Sequence, residues 1–341
     1  MLMLGLKTLL NGIRSFMSNK ILITGATGFI GSHLTELCVE KGFEVVAFDR
    51  YNTNNHWGWL ENSEYKNDIE FILGDIRDYD SVSKAMEGCT AVFHLAALIG
   101  IPYSYVSPLA YIRTNVEGTY NVLEAAKILD LDQILVTSTS ETYGTAQYTP
   151  IDENHPLVGQ SPYSATKIAA DQLAISYYRS FDLPIKIVRP FNTYGPRQSA
   201  RAIIPTVIIQ ILNGVEELKV GNLSPTRDFT FVKDTSKGFI SIFESDELFG
   251  KVVNIGMNEE ISINDLINRI VNIMGVSVNV IQDDNRIRPN KSEVDQLLCD
   301  NTKLIANTNW TPDYNLVTGL KENIEWIEKN KQYYKSNKYN V

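Results

Sequence analysis

A chain of 341 residues, 44% of them hydrophobic, is long enough to bury a large core, and it predicts one large domain with a smaller one appended. Its 31 basic and 40 acidic residues leave a net charge of −9, which argues against a nucleic-acid-binding surface. Three widely spaced cysteines suggest neither a disulfide framework nor a zinc cluster, and the four histidines show no metal-ligand spacing. We therefore expect a cytoplasmic protein that binds no metal.

Residues 1–18 precede the first strand-like run and are mostly apolar. Their apolar stretch is interrupted by Gly5 and Lys7, and it is too short to span a bilayer. We interpret this segment as an N-terminal extension, with a helix lying on a membrane surface as the alternative. No membrane span is predicted.

Strand-like and helix-like patterns alternate through the first half of the chain. This alternation is typical of βαβ units and predicts an α/β fold, a Rossmann-type doubly wound parallel sheet followed by a smaller C-terminal α/β domain. We place the sheet domain at residues 19–190, the smaller domain mainly at 191–330 and a solvated tail at 331–341. The predicted strands cover residues 21–24, 44–48, 69–73, 91–95, 134–137 and 185–188.

A glycine-rich turn follows the first predicted strand and opens the first predicted helix. Gly25, Gly28 and Gly31 allow backbone N–H groups to approach a pyrophosphate at the helix N-terminus, where the helix dipole favours an anion. Asp49 ends the second strand, where a carboxylate can bind both ribose hydroxyls and would repel a 2′-phosphate. The combination predicts NAD as cofactor, and the alternative is a turn that only packs helix on strand. The further predicted cofactor contacts are Thr27, Phe29, Ile30, Asp75, Ile76, Leu95, Ala96 and Ala97.

Tyr163 and Lys167 lie four residues apart in an alanine-rich helical segment, so both side chains point to one face of a helix. A lysine ammonium near a tyrosine hydroxyl stabilises the phenolate and makes tyrosine usable as a base near neutral pH. Upstream, three hydroxyl side chains at residues 138–140 follow a predicted buried strand, and Glu141 comes directly after them. At such a strand end, this group is either turn and helix-cap chemistry or an acid/base set.

The sequence resembles the extended short-chain dehydrogenases/reductases, the family of nucleotide-sugar epimerases, dehydratases and decarboxylases. The resemblance rests on the motifs GATGFIG, GDIRD, HLAA, YSATK and RPFNTYGPR, and it covers residues 20–327. It implies oxidation of a sugar at C4, with Thr139 hydrogen-bonding the 4-hydroxyl, Tyr163 acting as its base and Lys167 also holding the nicotinamide ribose. Residues 19–190 would then bind NAD, and 191–330 would mainly bind the nucleotide sugar.

Two further features follow from this resemblance. Asn115 matches an asparagine that braces the active-site lysine or its helix, and we place it among the cofactor contacts. The alternative is a polar residue that caps a buried turn. Apolar residues in the helical segments 108–129 and 162–179 resemble the four-helix bundle through which the family dimerises, so the resemblance implies a homodimer.

Glu141 separates the activities within this family. A 4,6-dehydratase needs a base there, because oxidation at C4 acidifies the C5 proton; its removal lets the 6-hydroxyl leave as water, and hydride returns to C6. The order Thr139-Ser140-Glu141 resembles the GDP-mannose type, whereas glucose-nucleotide dehydratases have Asp where Ser140 stands. We predict a 4,6-dehydratase. The alternatives are a UDP-uronic acid decarboxylase, which shares this motif, a 4-epimerase, and a regulatory subunit that only binds NAD.

The C-terminal half supplies candidate substrate contacts. Arg227 and Arg288 lie in segments that resemble those of GDP-mannose dehydratases. Their guanidinium groups could pair bidentately with diphosphate oxygens. Surface cations on a solvated loop are the alternative. These segments, together with the NAD preference, resemble GDP-N-acetylglucosamine 4,6-dehydratases and predict a GDP-linked hexose or N-acetylhexosamine as substrate. The predicted substrate contacts are Ser140, Asn192, Arg197, Arg227 and Arg288, with Arg201 as an alternative to Arg197.

Overall fold

The computed structural model describes residues 19–287 and 289–334. The predicted N-terminal extension, Arg288 and the end of the predicted tail lie outside the described residues. The strands in this part of the chain are β1 (Lys20–Thr24), β2 (Glu44–Arg50), β3 (Ile69–Gly74), β4 (Ala91–His94), β5 (Gln133–Thr137), β6 (Ile185–Pro190), β7 (Asn192–Tyr194), β8 (Glu217–Val220), β9 (Thr226–Phe231), β10 (Val252–Ile255), β11 (Glu260–Ser262), β12 (Asn279–Gln282) and β13 (Gln296–Leu297).

Helices connect most of these strands. A π-helical segment, Ile112–Glu117, joins the fourth α-helix to the fifth without a break. The α-helices of the described residues are α1 (Phe29–Glu40), α2 (Tyr79–Met86), α3 (Ile101–Val106), α4 (Pro108–Tyr111), α5 (Gly118–Ile128), α6 (Pro162–Phe181), α7 (Ile203–Leu212), α8 (Val232–Glu244), α9 (Ile263–Met274), α10 (Thr302–Asn307) and α11 (Leu316–Lys329).

Seven parallel strands form the central sheet, in the order β10-β6-β5-β4-β1-β2-β3. Successive side chains of β1 enter opposite cores, Ile21 and Ile23 on one face and Leu22 on the other. Helices α1 and α8 cover the first face, and α2, α5 and α6 cover the second. Because the sheet is buried on both faces, its strands are almost continuously apolar, and the predicted Rossmann-type fold is confirmed.

The strand order reverses between β1 and β4, since the chain crosses from β3 at one edge back to the middle of the sheet. Ligands of open α/β sheets bind at such a switch point, beyond the carboxyl ends of the strands. The edge strand β10 was not among the predicted strands, and it comes from the segment predicted as the smaller domain. The predicted boundary at residue 190 therefore does not separate the whole sheet from that domain.

The smaller part of the fold lies at the carboxyl end of the central sheet. Strand β7 begins two residues after β6 ends and pairs with β9, which also pairs with β11 and β13. Strands β8 and β12 form a separate parallel pair. Helices α7, α9 and α11 pack with these strands around a third core. This arrangement places loops of the smaller part opposite the strand ends of the large sheet.

An aromatic segment after β2 joins the glycine-rich turn to the last helix. Trp57 stacks on Phe71 of β3 with 3.9 Å between ring centroids. The neighbouring Trp59 donates its backbone N–H to the carbonyl oxygen of Thr27 at 3.1 Å, and its ring contacts Trp326 of α11 edge-on. The segment is thus a packed loop that contacts the glycine-rich turn, strand β3 and helix α11.

Neither a membrane-spanning helix nor a metal-binding cluster occurs in the described residues. None of their helices is long and apolar enough to cross a membrane. They contain no cluster of three or more histidine, cysteine or acidic side chains able to hold a metal ion. The three cysteines are buried and free, and burial raises the pKa of the Cys38 thiol far above its usual value.

Candidate active site

A cavity of about 950 Å³ lies where the carboxyl ends of the central strands meet the smaller part of the fold. This volume is at the upper end of the range of about 300–1,000 Å³ for small-molecule pockets. Most of the predicted site residues therefore face one common space. Those in its lining are Gly25, Thr27, Gly28, Phe29, Ile30, Gly31, Asp49, Asp75, Ile76, Leu95, Ala96, Ala97, Thr139, Ser140, Glu141, Tyr163, Lys167, Asn192 and Arg227.

The glycine-rich turn leaves no room for side chains. Gly25 has a φ of +72°, in the left-handed region that favours glycine. A Cβ atom at Gly31 would lie 2.1 Å from the carbonyl oxygen of Gly25, which is closer than any real contact. Gly28 precedes the first residue of α1, and no side chain caps that helix end. The turn therefore brings open backbone N–H groups to the cavity wall, as a pyrophosphate site requires.

Asp49 accepts three hydrogen bonds, and two of them come from Thr27 of this turn. Its Oδ2 accepts from the backbone N–H of Thr27 at 2.9 Å and from the Thr27 hydroxyl, while Oδ1 accepts from the backbone N–H of Arg50 at 2.7 Å. A fixed carboxylate next to a glycine cradle is the pair of features that binds the ribose and pyrophosphate of a dinucleotide. The residues present therefore fit the predicted cofactor.

Asp75, the predicted adenine contact, also lies in the cavity wall. Its carboxylate accepts from the guanidinium of Arg77, and this pairing holds the pKa of Asp75 below its usual value. A contact between Asp75 and an adenine amino group stays a prediction. After β4, the backbone N–H of Ala96 donates to the Thr24 hydroxyl at 3.2 Å, which fixes the small residues that face the cavity.

Thr139 and Tyr163 meet through their side chains at the end of β5. Tyr163 is only 7% exposed, and its burial raises the pKa of its hydroxyl above the usual value. A hydrogen bond with the Thr139 side chain opposes that rise, whereas the nearby charge of Glu141 adds to it. The side chains of Thr139 and Tyr163 are therefore in contact, and the Glu141 carboxylate is close enough to raise the pKa of the Tyr163 hydroxyl.

Lys167 lies one helical turn after Tyr163 on α6, as predicted. Its ammonium donates to the carbonyl oxygen of Thr137 in β5 at 2.6 Å. Burial lowers the pKa of Lys167, and the charge of Asp171 raises it. The ammonium is thus anchored to the central sheet, in the same cavity wall as the tyrosine ring.

Asn115 is not among the residues that line the cavity, and its placement among the cofactor contacts stays a prediction. Its side chain is 1% exposed and donates to the Leu98 carbonyl oxygen and to the Thr166 hydroxyl, both at 3.0 Å. It also accepts from the Leu98 backbone N–H at 2.8 Å. Asn115 lies within the π-helical segment, where an altered helical repeat often marks a functional position. Its contacts brace the helix that carries Tyr163.

Arg197 is not among the residues that line the cavity, and its assignment as a substrate contact stays a prediction. Its guanidinium makes a bidentate ion pair with Glu36 of α1, at 2.9 and 3.0 Å. The ion pair is largely buried, and it connects the loop after β7 to helix α1. Arg201, the alternative, lies in the cavity wall next to Gly100.

The smaller part of the fold supplies the other predicted substrate contacts. Arg227 lies in the wall and pairs with Glu293 at 3.4 Å. Asn192 also lines the cavity, and its buried Oδ1 atom has no hydrogen-bond partner in the described residues. Arg288 lies outside the described residues. Arg286 also lines the cavity and was not predicted from the sequence. It lies two residues before Arg288, so a second arginine in the same short segment was the sequence signal for it.

A dinucleotide turn and a Thr–Tyr–Lys set at the carboxyl end of a parallel sheet define a short-chain dehydrogenase/reductase. The sequence profile described as GDP-mannose 4,6 dehydratase matches residues 22–323. The chain belongs to this extended family of nucleotide-sugar dehydratases and epimerases.

Three relatives with three different activities are similar to the chain. It is 30% identical to the dTDP-glucose 4,6-dehydratase of Streptomyces antibioticus, over 92% of this chain and 94% of that protein. It is also 30% identical to the UDP-N-acetyl-alpha-D-glucosaminuronate decarboxylase of Bacillus cytotoxicus, over 92% and 99%. The crystal structure of UDP-glucuronic acid 4-epimerase from Bacillus cereus, in complex with UDP-glucuronic acid and NAD, superimposes with a TM-score of 0.84 at 32% identity, over 92% and 100%. Similarity alone thus does not choose among the activities.

Proposed function

We propose that this protein is an NAD-dependent nucleotide-sugar 4,6-dehydratase that converts a GDP-linked hexose or N-acetylhexosamine, such as GDP-N-acetylglucosamine, to its 4-keto-6-deoxy form. The observation that carries the proposal is the position of Glu141. Its carboxylate lines the same cavity wall as Tyr163 and acts on the pKa of that hydroxyl. A 4,6-dehydratase needs a base for the C5 proton, which we assign to Glu141, in addition to Tyr163, the base for the 4-hydroxyl.

The cofactor is NAD, as predicted. The glycine-rich turn would hold its pyrophosphate, Asp49 its adenosine ribose and Lys167 its nicotinamide ribose. When bound, NAD takes up a hydride from the sugar and later returns it. Solved relatives of the family also contain NAD.

The protein's own side chains handle the protons. Lys167 favours the phenolate form of Tyr163 electrostatically, and this phenolate, held by Thr139, takes the proton of the 4-hydroxyl and becomes the neutral phenol. Once C4 is a ketone, the C5 proton is acidic and Glu141 removes it. Glu141 passes the same proton to the leaving 6-hydroxyl, which departs as water without any further acid. A solvent proton reaches C5 when the hydride returns to C6. Ser140 occupies the position at which glucose-nucleotide dehydratases have an Asp, so we assign no separate acid for the leaving 6-hydroxyl.

The preference for a GDP-linked sugar rests on the two C-terminal segments that carry Arg227 and Glu293, which resemble those of GDP-mannose dehydratases. The relatives described above act, by their names, on dTDP- and UDP-linked sugars. A second candidate function is decarboxylation of a nucleotide-linked uronic acid. Arg201 favours it, because this cavity arginine makes no ion pair within residues 19–287 and 289–334 and could bind a C6 carboxylate.

Product masses distinguish these activities. We expect the purified protein to remove water from a GDP-linked hexose or N-acetylhexosamine, when it is incubated in parallel with GDP- and UDP-linked hexoses, N-acetylhexosamines and uronic acids. Loss of carbon dioxide from a uronic acid would establish the decarboxylase, and an isomer of unchanged mass the epimerase. If no sugar reacts although NAD is bound, the protein is a regulatory subunit and the proposal fails.

We also propose that the protein is a homodimer, held together by α4, the π-helical segment, α5 and α6. Large apolar side chains stay exposed there, with Leu109 57%, Ile112 49% and Ile128 65% accessible. An apolar surface of this kind is typical of an oligomer interface. Sedimentation equilibrium should give about twice the chain mass of 38.4 kDa, and Leu109→Asp should reduce the measured mass. A wild-type mass equal to one chain would refute the dimer. The cytoplasmic location remains a prediction.

A further inference from the structure

A buried carboxylate, that of Asp171, lies on the same helix as Tyr163 and Lys167. Asp171 is on α6, one helical turn after Lys167, and it is 0% exposed. Its Oδ2 accepts from the Ser138 hydroxyl at 2.6 Å and from Nε and Nη2 of Arg189 at 3.1 and 2.7 Å. Ser138 and Arg189 are also buried. The end of β5, the helix α6 and strand β6 therefore meet at one carboxylate.

Arg189 extends this contact further. Its guanidinium lies over the ring of Tyr143, 4.9 Å from the centroid, and the Tyr143 hydroxyl donates to Asn254 of β10 at 2.8 Å. Buried ion pairs are costly to desolvate, and apolar residues of similar volume often stabilise a fold as well or better. Packing alone does not account for an ion pair directly behind the active-site helix.

We propose that Asp171, held by Arg189, is a positioning residue for the catalytic set: through Ser138 it fixes the strand end that carries Thr139, and it places a negative charge one helical turn from Lys167. This inference rests on the oxidation at C4 in the proposed function. Dehydratase, decarboxylase and epimerase share that step, so the inference does not depend on which of them is correct.

The electrostatic part of this role follows from the burial of Lys167. Desolvation lowers the pKa of its ammonium, and the charge of Asp171 opposes that effect. His94, which faces the lysine from β4, is neutral because burial lowers its pKa to about 3. The other ionisable groups around this site are Tyr111 on α4, Tyr163 on α6, Glu141 and Tyr143 after β5, and Arg189 on β6. Asp171 is therefore the charge that opposes the lowering of the Lys167 pKa by burial.

Asp171→Asn removes the charge and keeps the shape of the side chain. The pKa of Lys167 should then fall, so its ammonium would be lost at a lower pH than in the wild type. We expect the basic limb of the pH–rate profile to move down by about one pH unit. NAD retention by the full-length protein after gel filtration at increasing pH should shift in the same direction, because Lys167 holds the nicotinamide ribose. This second measurement needs no sugar substrate, so failure of the proposed function would not obscure it.

The single variant leaves Arg189 buried without its partner and is expected to be unstable. The double variant Asp171→Asn/Arg189→Met removes both charges, and it should recover thermal stability relative to Asp171→Asn while the shifted basic limb and the shifted NAD retention persist. If the double variant has wild-type pH dependence in both measurements, the pair is purely structural and the inference is overturned. A uniform loss of rate without any shift along the pH axis would overturn it as well.

Discussion

Tyr163→Phe is expected to abolish oxidation at C4, with a loss of about 10²–10⁴-fold in rate, because it removes the base for the 4-hydroxyl. The fold should be unaffected. The Tyr163 ring packs edge-on against Tyr111, with 6.2 Å between centroids, and phenylalanine fills the same space. The measurement is a single-turnover experiment that follows the near-ultraviolet absorbance of NADH as the sugar is oxidised.

Tyr111→Phe is the matched control for this experiment. Tyr111 belongs to the same buried cluster, but its hydroxyl donates to the carbonyl oxygen of Gly100 and lies outside the acid/base set. Its loss should lower the rate by less than about ten-fold, the effect of one structural hydrogen bond. Both variants should retain NAD. Unchanged turnover of Tyr163→Phe would remove the proposed mechanism altogether.

Glu141→Gln is expected to leave NAD binding and oxidation at C4 intact but to block exchange of the C5 proton with solvent deuterium. An amide cannot accept that proton, so exchange should fall by about 10²–10⁴-fold. A second effect has a defined sign. The charge of Glu141 raises the pKa of Tyr163, so its removal lowers that pKa, and oxidation at C4 should begin at a lower pH. Deuterium at C5 is measured by mass spectrometry of the recovered sugar.

Glu293→Gln provides the comparison. Its carboxylate also lines the cavity, but it is paired with Arg227 in the smaller part of the fold. This variant should weaken binding of the nucleotide sugar and leave C5 exchange normal at saturating substrate. Normal exchange in Glu141→Gln would mean that another group is the base at C5, and the dehydratase proposal would lose its main support.

The central sheet was predictable because its signals are local. Each strand from β1 to β6 is a largely apolar run, and the predicted and observed ends differ by no more than two residues. Strand β10 has only four residues and follows β6 by more than sixty positions, so no local pattern shows which sheet it joins. The π-helical segment was missed for a similar reason, since its sequence has ordinary helical periodicity.

In the site, predictions from contiguous motifs agree with the structure better than those about single cations. The glycine turn and the Tyr163–Lys167 pair depend on spacing within one turn or one helix, and both face the cavity as expected. An arginine can pair with a ligand or with a carboxylate far away in the sequence. The ion pair between Arg197 and Glu36 joins positions 161 residues apart, which the motif around Arg197 does not reveal.

Strand β10 makes the two parts of this chain inseparable. The polypeptide leaves the central sheet after β6, builds β7 to β9 with α7 and α8, and then returns to complete the sheet edge. A fragment ending at residue 190 would expose the hydrogen-bonding edge of β6, and it would lack the Asn254 partner of Tyr143. Truncation at residue 190 therefore cannot yield a complete central sheet, although most of the sheet precedes that residue.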